Sequence, residues 1–230
     1  MSAVELEDVN FRYSAKSSDV LSIGQLRIER GETVFIYGPS GSGKSTLLGL
    51  IGGLLLPDRG AVRVLDQTVS SMSHSSRDRF RAAEMGFIFQ VFNLVPYLSV
   101  MDNVTLPCRF GRGVSSGYSS STAEARELLS RLGIADKCGT NVQQLSIGQQ
   151  QRVAAARALM GSPGLIIADE PTSALDSDAR VDFLSVLFEQ SRREKSTILF
   201  VSHDRSLASL FNRAVGLSDI NRVHAAGVSP

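Results

Sequence analysis

The chain has 230 residues, 24 lysines and arginines against 23 aspartates and glutamates, and a formal net charge of +1. Its composition, 43% hydrophobic and 20% charged, is that of an ordinary globular protein with enough apolar material for a core. That length allows one large domain or two small ones, and the near-neutral charge excludes a global electrostatic preference for nucleic acid or an anionic surface.

Met1 to Asp8 is acidic and lacks an apolar run, so no signal peptide is expected. Val4 to Val9 and Ile23 to Glu29 alternate apolar and polar residues, which predicts strands. Arg30-Gly31-Glu32 then turns into Thr33-Val34-Phe35-Ile36-Tyr37, a β-branched and aromatic run that reads as a buried strand. Gly38 to Thr46 is rich in Gly and Ser, and Lys44 to Leu50 opens a helix. Pro57 to Gly60 is a turn and Ala61 to Leu65 a short strand. Arg77 to Met85 reads as a helix whose basic stretch Arg77 to Arg81 forms a solvated face; Gly86 to Phe89 reads as a strand.

From Gln90 to about Met160 the strand pattern fades. Ala123 to Leu132 and Ser146 to Met160 are amphipathic helices, and Gly111 to Ser121 is expected to be mobile from its Gly and Ser content. The α/β pattern returns with Leu165-Ile166-Ile167-Ala168, a continuous apolar run suited to a strand buried on both faces. Asp178 to Glu194 is a long helix, Thr197 to Val201 a buried strand, and Arg205 to Phe211 a further helix. The alternation implies an α/β fold with a largely parallel sheet. The division expected is one domain over 1–230, with an α/β core (1–89 and 161–230) and a helical subdomain over about 90–160. The longest apolar run, Leu47 to Leu56, is short of the roughly 20 residues of a membrane span. Cys108 and Cys138 sit in no metal-ligand spacing, which suits a reduced cytosolic chain.

Gly38-Pro39-Ser40-Gly41-Ser42-Gly43-Lys44-Ser45-Thr46 is a complete phosphate-binding loop between a strand and a helix start. Its glycines let successive N–H groups turn inward around phosphate oxygens, with the helix N-terminus adding positive potential. Lys44 would reach the β- and γ-phosphates, and the Ser45 hydroxyl would bind Mg²⁺. Asp169 and Glu170 end the buried strand, where ligands sit in open α/β sheets. Taken alone, helix capping is the lesser reading of this pair. Ser146 is a natural N-cap for the alanine-rich helix that follows Leu145-Ser146-Ile147-Gly148-Gln149; its free N–H groups form a second anion site, though by themselves these residues are only a capped helix.

Together, in this order, the motifs resemble those of the nucleotide-binding subunit of an ATP-binding cassette (ABC) transporter, over essentially the whole chain. The resemblance implies an ABC ATPase fold: a P-loop core, an N-terminal antiparallel β subdomain and an inserted helical subdomain. It implies ATP and Mg²⁺ as cofactors. Tyr13 would stack on adenine. Gln90 matches the Q-loop glutamine that senses Mg²⁺ and water, Asp169 the Mg²⁺ carboxylate, Glu170 the catalytic glutamate, Asp176 of Ser173-Ala174-Leu175-Asp176 the D-loop aspartate, and His203 the switch histidine at the γ-phosphate. Mg²⁺ would thus be held by Ser45, Gln90 and Asp169. Ser146, Ile147, Gly148 and Gln149 would act in trans, on ATP bound by a second copy. Ile147 stands where a glycine is usual, and Thr140 to Gln144 lacks a proline that relatives often carry. Isoleucine is permitted in the helical region, so activity is expected to survive.

Gly86 to Pro96, Asn103 to Pro107 and the triple glutamine Gln149-Gln150-Gln151 are similar to the lipoprotein-release and macrolide-exporter branch. The short stretch after the last motifs is likewise similar to that branch, and the appended regulatory domain that sugar and metal importers often carry is not expected. That branch implies a membrane permease with a large extracytoplasmic domain, an extracytoplasmic adaptor in some systems, a place on the cytoplasmic face of the membrane, and no nucleic-acid partner. Apolar residues between Val91 and Leu106 would hold the permease's cytoplasmic helix, with Phe92, Leu94 and Tyr97 as candidates; each of the three reads equally well as ordinary subdomain core. An importer subunit is the alternative within the family, and a soluble regulatory cassette or a non-hydrolysing binding module the alternative outside transport. A DNA-repair cassette would carry a coiled-coil insertion, and a translation factor two motif sets; neither is present.

Overall fold

The computed structural model describes residues 1–111, 117–173, 175 and 177–223. In chain order the elements are β1 (Ser2–Phe11), β2 (Leu21–Glu29), β3 (Thr33–Tyr37), α1 (Lys44–Ile51), β4 (Arg59–Val64), β5 (Gln67–Thr68), α2 (His74–Glu84), β6 (Met85–Ile88), α3 (Val100–Thr105), α4 (Gly117–Arg131), α5 (Ile147–Leu159), β7 (Leu165–Asp169), α6 (Ser177–Glu194), β8 (Thr197–Ser202), β9 (Arg213–Gly216) and α7 (Leu217–Ile220). They fall into two compact units, one of Met1–Asp78 with Thr197–Pro230, the other of Arg79–Ser196.

In the first unit, β1 lies between β2 and β4 in an antiparallel sheet of order β2-β1-β4-β5. The alternation of β1 and β2 sends Val4, Leu6, Ile23 and Ile28 to a fully buried face. β3 pairs in parallel with β8 and β9, with Phe35 opposite Phe200 and Ala214. The rings of Phe35, Phe200 and Phe211 pack with centroids 5.1–6.0 Å apart, which explains why β3 and β8 read as unbroken apolar runs.

In the second unit, β6 and β7 pair in parallel, with Ile88 opposite Ala168. Ala154, Ala155, Ala156 and Ala158 of α5 are buried, and their small side chains let β6 approach closely. At Gly86 a Cβ would stand 2.1 Å from the Ala158 carbonyl oxygen, so that position admits only glycine without a backbone shift.

Two local expectations are corrected, those for Arg77 and for Arg205 to Phe211. Arg77 is not solvated: it is 8% exposed, and its guanidinium donates to the carbonyls of Gly53 (3.0 Å) and Met72 (2.7 Å). Burial of its stem follows because the fork finds carbonyl acceptors inside. Helix α4 begins at Gly117, within the Gly- and Ser-rich stretch, as serine is only mildly unfavourable in a helix; residues 112–116 of that stretch lie outside the described residues. Arg205–Leu210 is a 3₁₀ segment rather than an α-helix. The Asp204 carboxylate accepts from the Ser206 backbone N–H (3.0 Å) and hydroxyl (2.6 Å), a local bond that favours a tight turn over a longer helix.

Candidate nucleotide-binding and signature sites

The parallel register decides which loops meet. Tyr37 lies opposite Ser202, so Gly38 and His203 leave the carboxyl ends of adjacent strands. In the second unit Ile88 lies opposite Ala168, so Gln90 and the pair Asp169-Glu170 likewise leave adjacent strands at nearly one level. Both groupings sit where parallel sheets present ligand-binding loops.

Gly43, the N-cap of α1, has φ 100°, and a Cβ there would also stand 3.0 Å from Leu21 Cδ2; the loop turns into the helix through a conformation closed to other residues. Its N-cap glycine gives no side-chain cap bond and no acidic residue stands in its first turn, so the helix dipole there favours an anion. The buried Lys44 ammonium donates to the carbonyls of Gly38 (2.9 Å) and Pro39 (3.0 Å). The buried Ser42 hydroxyl has no partner among the described residues. A buried orphan hydroxyl is costly, and it fits a loop that receives acceptor oxygens. Tyr13 is 65% exposed, edge-on to Phe11 at 5.0 Å, with its hydroxyl 2.9 Å from Thr46 Oγ1. That bond joins the aromatic ring to the end of the phosphate loop. After His203, the Arg205 guanidinium lies 4.4 Å from the centroid of the Tyr37 ring and braces the histidine loop against β3.

Ser146 is the N-cap of α5, as the sequence predicts, and the cap is a reciprocal box. The Ser146 hydroxyl accepts from the Gln149 N–H (3.3 Å), and Gln149 Oε1 accepts from the Ser146 N–H (3.0 Å). Ile147 is the first helical residue and 55% exposed, so the expected helical backbone accommodates it. The Thr140–Gln144 segment is secured without a proline: the Val100 N–H donates to the Thr140 carbonyl (2.9 Å), and Asn141 Oδ1 accepts from the Gln143 N–H (2.9 Å). Glu170 has φ 48°, a left-handed conformation uncommon outside glycine. Asp176 lies outside the described residues.

The capping role of Gln149 and three further contributors, Gln151, Arg157 and Asn103, are not expected from the sequence. Gln149 spends its side chain on the capping box; the Ser-x-x-Gln spacing was the available signal. Gln151, buried on α5, donates to the Pro171 carbonyl at 2.8 Å, directly after Glu170. Arg157, near the end of α5, donates to the carbonyls of Asn93 (2.7 Å) and Phe92 (2.6 Å), and burial lowers its pKa from the usual guanidinium value. Asn103 of α3 is fully buried; its Oδ1 accepts from the Val95 N–H (2.7 Å) and its Nδ2 donates to the Val95 carbonyl (3.1 Å). No sequence signal marks the last three, whose partners are backbone atoms 8 to 65 residues away. The expected apolar docking stretch divides accordingly: Val91 and Tyr97 are 81% and 79% exposed, while Phe92 is 8% exposed and belongs to the core. No helix among the described residues is long and apolar enough to cross a membrane.

Comparison with known proteins agrees with this arrangement. Residues 21–173 match the ABC transporter family. The lipoprotein-releasing system ATP-binding protein LolD 1 of Caulobacter vibrioides is 40% identical over 210 residues, covering 91% of this chain and 88% of that protein. The macrolide export ATP-binding/permease protein MacB of Rhodopseudomonas palustris (strain HaA2) is 40% identical over 220 residues, covering 95% of this chain but 33% of its own length. The chain thus spans about a third of the macrolide-export relatives it matches. Among solved structures, a dimeric post-hydrolysis state of the ATP-binding cassette MJ0796, bound to ADP and Pi, superposes with a TM-score of 0.83 at 35% identity, covering 93% of each chain. By the family match over more than half its length and the 40% identity to LolD 1 along most of both chains, this chain belongs to the ABC transporter family, as an ATPase cassette.

Proposed function

We propose that the chain hydrolyses ATP as one of two identical cassettes and thereby drives a membrane permease with a large extracytoplasmic domain, at the cytoplasmic face of the membrane. The cargo work of that class is lipoprotein or lipid extraction, or efflux. The observation that carries the reading is that a single chain holds both a phosphate cradle, with its left-handed Gly43 and no acidic residue in the first turn of α1, and a box-capped signature turn whose Ser146 and Ile147 are exposed. Each copy can then offer its cradle to ATP and its signature turn to the γ-phosphate of the ATP held by the other. The dimeric MJ0796 cassette with ADP and Pi, and the export and lipoprotein-releasing relatives, support this reading. Those relatives cover 91–95% of the chain, which suits one cassette domain; within it the family resemblance implies an α/β core (1–89 and 161–230) and a helical subdomain (about 90–160).

In this mechanism the phosphate-loop N–H groups and Lys44 bind the phosphates, and Tyr13 offers its exposed ring to the base. Glu170 accepts a proton from the attacking water, His203 donates to the γ-phosphate, and Gln90 orients the water. By the family resemblance the Ser45 hydroxyl, the Asp169 carboxylate and the Gln90 amide would each offer an oxygen, the donor type Mg²⁺ takes; when bound, the ion would neutralise charge on the phosphates. Asp176 would contact the other cassette. Closure is driven by ATP because the signature contact to the γ-phosphate exists only in the closed dimer. Val91 and Tyr97 are the exposed residues for the permease helix.

The test uses Glu170→Gln. With ATP and Mg²⁺ it should form a stable dimer in solution and lose turnover by orders of magnitude; tagged and incubated with native membranes, it should recover a permease with few membrane helices. Wild-type turnover in Glu170→Gln would remove the catalytic assignment. Capture of a many-helix permease with a solute-binding protein would replace the branch while leaving the ATPase in place.

A further inference from the structure

Helix α5 begins at the signature cap and ends beside the Q-loop. From Ser146 to Arg157 it spans about 16 Å at 1.5 Å per residue. At its far end the two outer nitrogens of Arg157 donate to the successive carbonyls of Phe92 and Asn93 at 2.6 and 2.7 Å. Both residues have left-handed backbones, φ 53° and 48°. Two adjacent non-glycine residues in that region persist only where the surroundings hold them. A planar guanidinium reaching two carbonyls at fixed spacing is suited to that task, and a lysine ammonium is not. Along the same helix Gln151 holds the Pro171 carbonyl at 2.8 Å, next to left-handed Glu170, and Ala158 lies against β6 at Gly86, the strand that leads to Gln90. One rigid element therefore touches the loops of both residues assigned to water and carries the signature at its tip.

We infer that Arg157 is a positioning residue: its fork locks the Gln90 loop to the signature helix, so that engagement of the signature by the second cassette sets the place of Gln90 and of the exposed Val91. This inference rests on the roles assigned to Gln90 and the signature above.

The experiment compares purified wild type with Arg157→Gln, and with Arg157→Gln carrying Asn93→Gly, by steady-state ATP hydrolysis and amide hydrogen exchange. In Arg157→Gln, kcat should fall about tenfold or more, because small misplacements near the chemistry are costly, while the KM for ATP, set at the phosphate loop, stays within about twofold. The amides of residues 92–94 should exchange about tenfold faster. Glycine adopts positive φ freely, so Asn93→Gly should restore at least about a third of the lost kcat. A normal kcat, an unchanged exchange rate at 92–94, or no restoration by Asn93→Gly would overturn the inference. Should Arg157→Gln not fold, Asn93→Val serves instead. Asn93 is exposed, and a β-branched residue resists the left-handed region; it should reproduce the fall in kcat at constant KM, and a normal kcat overturns the inference. A wild-type chain without turnover would instead sink the ATPase mechanism itself.

Discussion

Replacement of Gly86 by alanine tests the contact on which the second unit is built. The added Cβ would stand 2.1 Å from the Ala158 carbonyl oxygen and 2.9 Å from its carbonyl carbon. Ordinary contact begins near 3.4 Å, so β6 and α5 must separate by about 1.3 Å. Both sides of the clash are backbone, one in a strand paired to β7, the other in a helix with buried alanines, and neither can yield as a flexible side chain would. Overpacking of this kind costs about 3 kcal/mol, and the stiffer unfolded chain of alanine returns up to about 1 kcal/mol. A net loss of about 2 kcal/mol corresponds to a fall in Tm of about 4–8 °C for a chain of this size. Scanning calorimetry of wild type, Gly86→Ala and the control Gly139→Ala reads the effect directly. At Gly139 an added methyl would have no heavy atom within 4 Å, and the backbone there is not left-handed, so this variant should melt within about 2 °C of wild type. A Gly86→Ala protein that melts with the control would refute the claim that close approach of β6 to α5 organises this unit.

Two further outcomes follow from the geometry. Ser146→Ala and Gln149→Ala each remove one bond of the reciprocal cap and should each cost about 1 kcal/mol in urea denaturation. The double variant should fall short of their sum by about 0.5 kcal/mol, and strict additivity would mean that the two bonds do not support each other. Arg77→Ala leaves the Gly53 and Met72 carbonyls without their donor and should cost about 2–4 kcal/mol by the same measurement; a loss below about 0.5 kcal/mol would return Arg77 to the status of an ordinary surface residue.

Much of the site was legible because its signals are local. The phosphate loop needs glycines at fixed intervals between a strand and a helix, and the structure gives Gly43 the positive φ that such a turn requires. The runs Thr33 to Tyr37 and Leu165 to Ala168 announced strands buried on both faces, and both lie in parallel pairings. Ser146 announced a helix start through its type and position alone. Family resemblance then attached roles to Gln90, Glu170 and His203 that no single residue could have carried.

The side chains that escaped the sequence share a physical cause: they bond backbone groups of other segments, which no local pattern announces. Arginine in a helix looks the same whether it faces water, as the pattern around Arg77 suggests, or turns inward to Gly53, as Arg77 does. Arg157 reads as one more basic residue until α5 is laid against the loop 65 residues earlier, where its fork meets Phe92. Phe92 and Tyr97 are both aromatic in a sequence window, yet Phe92 is 8% exposed and Tyr97 79%. The sequence by itself thus determined the identity and order of the chemical groups, since spacing within a strand, turn or helix start is enough to specify them. Tertiary packing alone decided which side chains hold those groups in place, because a hydrogen bond to a distant carbonyl depends on where the helix lies and leaves no pattern in the residues around it.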